Sequence, residues 1–326
     1  MQSIKSIQKI IEKELQQFFN NGYNQPANLY EPIRYILSIG GKRLRPTMVL
    51  LACNLYNENI ISAIPAALAI ETFHNFTLLH DDIMDNSPMR RSQPTVHNKW
   101  NNNVAILSGD AMSILAYELI AKVDIKYLKS VLEIFNKTAL QICEGQQYDM
   151  DFETTADITV ENYLEMIQLK TSVLLGASFE IGAIIGGADK TEATKFYELG
   201  LNLGLAFQLQ DDYLDTYGDA QTFGKRIGGD IVSNKKTFML LTALQKANEK
   251  QLRELQFHLN KTMIPDEEKI IAVTNIYNTL DIPNIALQKI DAYFDKSAQI
   301  VESLNLTQEK KQFLAEFIQT LNGRKK

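Results

Sequence analysis

LLHDDIMD at residues 78–85 and LQDDYLD at residues 209–215 share the pattern Asp-Asp-x-x-Asp. In an α-helix, residues four apart lie on the same face, so the first and last aspartate of each run point the same way. Like charges at this spacing destabilise a helix by about 0.2 to 0.5 kcal/mol unless a cation lies between them. Apolar residues precede both runs, which predicts that each run lies where a packed helix leaves the core. Carboxylate oxygens favour Mg²⁺, which binds one or two carboxylates together with substrate phosphates.

Helical periodicity recurs along the whole chain, and no run of alternating polar and apolar residues predicts a strand. The predicted fold class is therefore all-α. The breaks between the helices carry turn residues such as paired glycines and Ser-Pro. The predicted helices cover residues 3–19, 28–38, 47–56, 60–86, 103–121, 126–148, 160–185, 190–217, 236–247, 249–259, 267–278, 284–303 and 307–321.

The composition limits the class of protein. Apolar residues make up 45% of the 326 residues, which is enough for one sizeable core. The 8 Pro, the 16 Gly and the even composition mark no linker, so a single domain over residues 1–326 is predicted. The net charge of −6 and the lack of a broad basic stripe argue against nucleic acid as a partner.

The sequence also predicts a cytoplasmic location. Cys53 and Cys143 lie in apolar helical contexts and are expected to be free, buried thiols, as in a reducing compartment. The first helix lacks the apolar core and the cleavage site of a signal peptide. Residues 172–187, the most apolar stretch, are interrupted by Glu180 and fall short of the roughly 20 apolar residues that span a bilayer. No membrane span is predicted.

Basic residues cluster locally, first in GGKRLRP at residues 40–46. Paired glycines allow a tight backbone turn, and Lys42, Arg43 and Arg45 concentrate positive charge beside it. Guanidinium forks match phosphate oxygens, and an ammonium group is a compact point charge. A basic loop between helices is also often only solvated, so the role of this loop depends on what lies near it in the fold.

Other basic and polar residues flank the acidic runs. His74 precedes Asp81 by seven residues, which places it about 10.5 Å away along the helix axis on nearly the same face. It is either a core histidine or a contact to a second anion. Arg90 and Arg91 either pair with Asp85 or point apart and bind two anions. The remaining candidates are Lys170, Thr171, Gln208, Lys225 and Lys235.

Two carboxylate clusters beside many cations fit a diphosphate that binds both. Mg²⁺ would bridge the carboxylates to phosphate oxygens, and the basic side chains would neutralise the remaining charge. Groups held in this way stabilise the negative charge that grows as diphosphate departs, so the favoured reaction breaks a carbon–oxygen bond. An apolar helix wall above the acids would shelter the carbocation.

These motifs resemble the trans-type polyprenyl diphosphate synthases, the farnesyl and geranylgeranyl diphosphate synthase group. The resemblance rests on both acidic runs, GGKRLRP, RRSQPTVH at residues 90–97, Lys170-Thr171 and FQLQDD at residues 207–212. It implies an all-α bundle of the isoprenoid synthase type with a central substrate cavity. It also implies a homodimer, three Mg²⁺ ions per active site with Mn²⁺ as an alternative ion, and condensation of isopentenyl diphosphate with an allylic diphosphate.

The resemblance assigns roles residue by residue. Asp81 and Asp85 would hold two Mg²⁺ ions, and Asp211, with Asp215, would hold the third. Asp82 and Asp212 would support these ligands, and Asp81 and Asp211 count as catalytic with Lys170, Thr171 and Gln208. The allylic diphosphate would contact Arg90, Lys170, Lys225 and Lys235. Isopentenyl diphosphate would contact Gly41, Lys42, Arg45, His74 and Arg91. The oxygens of Thr171 and Gln208 would face the developing cation.

The sequence departs from the family pattern in places. Ser92 stands where the family usually has Gly, and one extra residue separates Lys225 from Gly228-Gly229-Asp230. The basic tail at residues 324–326 is either a frayed end or a flap over bound diphosphate.

Product length is expected to depend on side chains one or two turns before Asp81, which form the floor of the elongation pocket. Phe76 and Thr77, an aromatic followed by a small residue, resemble the pattern of members that stop at twenty carbons. A fifteen-carbon product remains open.

Two other functions compete with the synthase. A terpene cyclase also ionises an allylic diphosphate at Asp-Asp-x-x-Asp, but it needs no second diphosphate site. A non-catalytic regulatory subunit of a prenyl synthase generally lacks some of the acids, whereas both clusters are intact here.

Overall fold

Helices account for nearly all regular structure in the computed structural model, which describes residues 1–20, 22–219, 227–260 and 264–323. The predicted all-α fold class is confirmed. In the first half, the helices are α1 Ile4–Asn20, α2 Ala27–Ser38, α3 Leu44–Tyr56, α4 Ile64–Met84, α5 Val96–Lys99, α6 Asn102–Ile120 and α7 Ile125–Thr154. A 3₁₀ turn, Ile60–Ala63, leads into α4.

The second half begins with α8 Val160–Ile167, which continues through a π-helical turn, Gln168–Ser172, into α9 Val173–Gly186. Every helix that the sequence predicts is present. The later helices are α10 Lys190–Tyr217, α11 Gly229–Val232, α12 Phe238–Lys246, α13 Glu249–Asn260, α14 Asp266–Thr279, α15 Ile282–Ser303 and α16 Gln308–Asn322.

Three differences from the prediction matter for function. Helix α3 begins at Leu44 and not at residue 47, so Arg45 lies on a helix. Helix α7 continues six residues past the predicted end at residue 148. A two-stranded hairpin also follows the first acidic run, with β1 Met89–Arg90 antiparallel to β2 Gln93–Pro94.

The hairpin turn explains why the strands were not predicted. Its two central residues, Arg91 and Ser92, have φ values of 52° and 60°. Two-residue turns with positive φ at both positions strongly favour Asn-Gly or similar pairs, which this sequence lacks. The left-handed conformation at Ser92 also gives a physical reason why glycine would fit this position.

Two compact units make up the chain. Unit 1 comprises residues 1–136 and 177–197, and unit 2 comprises residues 137–176 and 198–326, apart from those not described. The boundaries fall within α7, α9 and α10. The single domain that the sequence predicts stays a prediction.

Unit 1 is built around α4. This helix packs against α1, α3 and α6, and residues 66–73 are all buried. Six of these eight residues are apolar, as expected of a helix that is surrounded by others in a core. The first acidic run lies at the end of this helix, as predicted.

Unit 2 brings three helices close together at the π-helical turn. A Cβ atom on Gly145 of α7 would lie 2.3 Å from the Lys170 nitrogen, and one on Gly204 of α10 would lie 2.5 Å from Ser172 Cα. Both glycines therefore allow the backbone of the turn to pack directly against the neighbouring helices. Single π-helical turns within α-helices are frequent at functional sites, and this turn carries Lys170 and Thr171.

Two described helices are long and apolar enough to cross a membrane by length and composition: Asn102–Ile120 and Val160–Gly186. In their most apolar windows, 44% and 67% of the residues are buried within the protein. Core helices of soluble proteins pass the same test, so these helices are weak support for a span. The absence of a span stays a prediction.

Neither cysteine forms a disulfide. Cys53 is buried on α3, as predicted. Cys143 is exposed, so the prediction of a buried thiol there is wrong. Its position falls on the outward face of α7, which the apolar residues around it do not reveal.

Candidate active site

The first acidic run ends α4. Asp85 directly follows the helix, and its amide donates to the Asp81 carbonyl over 2.9 Å. Asp81 and Asp85 are thus one helical turn apart at the end of the helix. Between them, Asp82 is buried, with a side chain 4% exposed.

Arg90 binds the buried Asp82 carboxylate through two hydrogen bonds. Its Nε donates to Asp82 Oδ2 over 2.8 Å, and its Nη2 donates to Asp82 Oδ1 over 2.7 Å. The same nitrogen lies 3.6 Å from Asp81 Oδ2. Burial raises the pKa of Asp82 above its ordinary value, and Arg90 opposes that rise. The internal ion pair that the sequence leaves open is therefore made with Asp82, and the charge of Asp85 also raises the pKa of Arg90.

Arg45 and His74 form the centre of a basic cluster in unit 1. Arg45 Nη1 lies 3.1 Å from His74 Nε2, and a guanidinium can only donate, so this imidazole nitrogen accepts. Burial and the nearby arginines, Arg45 first, hold the pKa of His74 well below 6.5, which agrees with a neutral ring. Burial also lowers the pKa of Arg45 to about 10, so Arg45 remains charged at neutral pH.

Arg91 completes this cluster from the hairpin. Its guanidinium carbon and both terminal nitrogens lie 2.8 Å from the point that a Cβ atom on Gly41 would occupy. Gly41 has φ of 144°, a conformation that residues with a side chain rarely adopt, and a side chain there would also displace the Arg91 guanidinium. Four residues predicted to contact isopentenyl diphosphate therefore meet in unit 1: Gly41, Arg45, His74 and Arg91. The fifth, Lys42, is exposed on the same loop.

The second acidic run lies near the end of α10. Asp212 is buried, and it accepts hydrogen bonds from the Tyr163 hydroxyl at Oδ2 and from Gln208 Nε2 at Oδ1, the latter over 3.3 Å. Burial, reinforced by the negative charge of Asp230, raises the pKa of Asp212 to about 7. Asp212 is therefore held inside unit 2, like Asp82 in unit 1.

The outer carboxylates of this run are half-buried. Asp211 and Asp215 are one turn apart, and Asp215 Oδ2 accepts a hydrogen bond of 3.0 Å from the Asp230 amide. The Asp215 carbonyl also accepts from the Gly228 amide over 2.6 Å. Lys235 follows on an exposed loop, where its amide donates to the Asp230 carbonyl over 2.9 Å.

Lys170 pairs with a carboxylate that the sequence did not reveal. Its Nζ lies 2.6 Å from Asp149 Oδ2, and both side chains are mostly buried. Asp149 lies beyond the predicted end of its helix, which is why it was missed. Next to Lys170, Thr171 Oγ1 donates to Gln208 Oε1 over 3.4 Å, so Thr171 joins the network around Asp212.

The acidic runs fit Mg²⁺ by their chemistry. Within the described ranges, no three carboxylate, imidazole or thiolate groups form a ready metal site. Mg²⁺ commonly uses one or two carboxylates and completes its shell with water and substrate phosphates, which matches two outer aspartates per run.

The predictions for Lys225 and for the basic tail at residues 324–326 lie outside the described residues. All other predicted site residues are described.

Comparisons with known proteins assign the family. A family model for polyprenyl synthetases matches residues 26–278. The chain belongs to the polyprenyl synthetase family. A geranylgeranyl diphosphate synthase from Methanosarcina mazei is 39% identical over 82% of both chains. A geranylfarnesyl diphosphate synthase from Natronomonas pharaonis is 40% identical over 67% of this chain and 70% of its own.

Among solved structures, a crystal structure of a geranylgeranyl pyrophosphate synthase matches with a TM-score of 0.94 and 44% identity, covering 100% of both chains. The predicted family is confirmed, and the chain is a prenyltransferase.

Phe76 of this polyprenyl synthetase lies on the α4 face that faces other aromatic rings. Its ring centroid is 4.8 Å from that of His80 and 5.3 Å from that of Phe73. Phe73 in turn lies 5.1 Å from Phe135 of α7. Thr77 is half-buried, and its hydroxyl donates to the His74 carbonyl over 2.8 Å. The predicted role of both residues in product length stays a prediction.

The raised pKa of Asp212 gives stability a specific pH dependence. The folded carboxyl keeps its proton up to about pH 7, whereas the unfolded one loses it at about pH 4. Between these values the folded state binds more protons, so the free energy of unfolding should fall by about 1.4 kcal/mol per pH unit from this group. Asp212→Asn cannot lose this proton. We expect its stability relative to the wild type to rise from pH 4 to pH 7 in urea unfolding with EDTA.

Tyr163→Phe provides the companion measurement. The Tyr163 hydrogen bond lowers the pKa of Asp212, so its loss should move the fall in stability to higher pH. A constant difference between Asp212→Asn and the wild type across this range would contradict the assignment.

Proposed function

We propose that this prenyltransferase is a short-chain trans-polyprenyl diphosphate synthase. It condenses isopentenyl diphosphate with allylic diphosphates of five to fifteen carbons and releases pyrophosphate. The favoured product is the twenty-carbon prenyl diphosphate. The names of the relatives support this activity, and they support neither the terpene cyclase nor the regulatory subunit.

The observation that carries the proposal is the separate basic cluster of unit 1. Arg90 is bound to Asp82 beside the first acidic run, whereas Gly41, Arg45, His74 and Arg91 form a cluster of their own. Arg45 Nε is buried and makes no hydrogen bond within the described residues. A buried donor without a partner costs free energy, and an anion would satisfy it. A terpene cyclase binds a single diphosphate substrate, so a second anion site favours the synthase.

The acidic runs would bind the allylic diphosphate through Mg²⁺. We assign Asp81 and Asp85 to two ions and Asp211, with Asp215, to a third. Mn²⁺ is the alternative ion. When bound, the metal supplies positive charge that stabilises the departing diphosphate. Asp82 and Asp212 keep their neighbours in place from inside each unit.

The remaining side chains would bind the allylic substrate and its cation. Arg90, Lys170 and Lys225 would contact the diphosphate, with Lys235 nearby. Asp82 and Asp149, the present partners of Arg90 and Lys170, hold those two side chains in position until an anion binds. The developing cation would face the oxygens of Thr171 and Gln208. The departing diphosphate is the base that removes the final proton, so no side-chain base is assigned.

A homodimer in the cytoplasm completes the proposal. Helix α6 exposes Ile106, Leu107 and Ile114, which are 45%, 60% and 69% accessible to solvent. Apolar residues grouped on one helix favour burial against a partner. This face therefore supports assembly of two copies, which sedimentation analysis of the purified protein would test. A monomer at micromolar concentration would contradict it.

The activity is tested with the purified protein, Mg²⁺, isopentenyl diphosphate and each allylic primer in turn. A synthase releases pyrophosphate only when isopentenyl diphosphate is present, and it yields a longer prenyl diphosphate. Release from the allylic substrate alone would indicate a cyclase. Inactivity with every primer would indicate the regulatory subunit.

Removal of a metal-binding carboxylate should abolish most turnover. We expect Asp81→Ala and Asp211→Ala to reduce kcat by about 100-fold or more, because the departing charge loses its stabilisation. Circular dichroism should show that both variants fold. The control is Asp295→Ala, which removes an exposed carboxylate on α15 and should leave kcat unchanged. Near-normal rates for the first two variants would refute the metal assignment.

Phe76 provides the test of product length. Truncation to alanine should open the floor of the pocket, so Phe76→Ala is expected to give products longer than those of the wild type by at least one five-carbon unit. Chromatography of the dephosphorylated products measures this. Phe257→Ala, at a 53% exposed ring on α13, is the matched control. An unchanged product distribution for Phe76→Ala would remove this residue from the floor.

A further inference from the structure

Arg43 is the most highly bonded side chain of the GGKRLRP segment, although no role follows for it from the family resemblance. Its side chain is 4% exposed. Its Nε donates to Glu12 Oε1 over 2.8 Å, and its Nη1 donates to Glu71 Oε1 over 2.6 Å. Its Nη2 donates to the Leu37 carbonyl over 2.5 Å. One guanidinium therefore joins the loop to α1, α2 and α4.

The backbone at Arg43 also requires this anchoring. Arg43 has φ of 47°, and Gly40 and Gly41 have φ of 85° and 144°. A left-handed conformation is unfavourable for a residue with a side chain, so the surroundings must hold it. Arg43 is also the residue immediately before α3, so its conformation sets the direction in which the helix begins. Lys42 and Arg45 flank Arg43 in the chain, so the contacts that hold Arg43 also limit where these two residues can lie.

Glu71 is the second half of the arrangement. It is buried, with a side chain 3% exposed, and it also accepts from Asn75 Nδ2 over 3.0 Å. Its negative charge raises the pKa of Arg45 and of Arg91 as well as that of Arg43. One buried carboxylate thus offsets the mutual repulsion of three arginines before any substrate binds.

We propose that Arg43 and Glu71 are positioning residues for isopentenyl diphosphate: their buried ion pair fixes the loop so that Gly41, Lys42, Arg45 and Arg91 converge on one diphosphate. This inference rests on the proposed function. Arg43 acts through the loop and not as a substrate contact in this proposal, because its side chain is buried and each of its three nitrogens already donates to a protein group, Glu12, Glu71 or the Leu37 carbonyl. The ion pair should affect the binding of isopentenyl diphosphate and not that of the allylic diphosphate, since Asp81 and Asp85 belong to a different cluster.

Arg43→Lys tests the inference because it keeps the charge and loses the fork. A lysine has one nitrogen and cannot bond Glu12, Glu71 and the Leu37 carbonyl in the same planar arrangement. We expect the KM for isopentenyl diphosphate to rise about 10- to 100-fold, as small displacements of binding groups commonly cause. The KM for the allylic diphosphate should change by less than about twofold, because that site does not depend on the loop.

The matched control is Arg34→Lys. Arg34 also lies in unit 1 and also holds a loop through its guanidinium, which donates to the Tyr23 carbonyl over 2.6 Å. It lies seven residues before Gly41, but its guanidinium contacts Tyr23 and Asn24 and none of the residues of the basic cluster. Arg34→Lys should therefore lower the melting temperature at most and leave both KM values unchanged.

Glu12→Gln is the second variant, should Arg43→Lys fail to fold. Glu12 is 45% exposed, so its neutralisation leaves no charge buried without a partner. It weakens the hydrogen bond that Arg43 Nε makes with residue 12. The KM for isopentenyl diphosphate should therefore rise by about threefold, with the KM for the allylic substrate unchanged.

The outcomes separate the two proposals. Wild-type protein without isopentenyl-dependent pyrophosphate release would overturn the proposed function and this inference with it. An active wild type with equal KM changes for both substrates, or with no change in either folded variant, would overturn this inference alone. A selective rise in the KM for isopentenyl diphosphate supports it, whatever the melting temperature of the variant.

Discussion

The bidentate ion pair between Arg90 and Asp82 determines how unit 1 can place several carboxylates at the end of one helix. Three aspartates within five residues repel one another, and a helix cannot keep them together without a compensating charge. Arg90 neutralises the buried one from the hairpin. Asp81 and Asp85 are then not bound to the inner ion pair as Asp82 is, and the hairpin that supplies Arg90 also brings Arg91 to the basic cluster.

Unit 2 binds the inner aspartate of the second acidic run with different groups. Asp212 takes the place of Asp82, but among the described residues its hydrogen-bond donors are the neutral groups of Tyr163 and Gln208. Burial and the negative charge of Asp230 raise the pKa of Asp212 to about 7, and these two hydrogen bonds only partly oppose the rise. The two acidic runs are alike in sequence, and burial raises the pKa of both inner aspartates, yet an arginine binds Asp82 and neutral groups bind Asp212.

Much of the fold followed from the sequence because helical periodicity is a local property. The helix from residue 190 to residue 217 was predicted with both ends correct. The hairpin was missed because Arg91-Ser92 has none of the residues that usually mark such a turn. Lys170 was predicted, but its partner Asp149 was not, since an ion pair between distant residues leaves no periodic signal. The pairing of Arg43 with Glu71 was missed for the same reason, since it joins residues 28 apart in the chain.

The protein is proposed to bind its two diphosphate substrates at separate sites of opposite local charge, and equilibrium binding of each substrate tests this most directly. The Arg45, His74 and Arg91 cluster is cationic, so isopentenyl diphosphate should bind the wild-type protein equally well with Mg²⁺ and with EDTA. The acidic runs repel an anion unless a metal is present, so a non-hydrolysable allylic diphosphate should bind only with Mg²⁺. Calorimetric titrations showing that isopentenyl diphosphate needs Mg²⁺, or that the allylic analogue does not, would contradict the two-site arrangement.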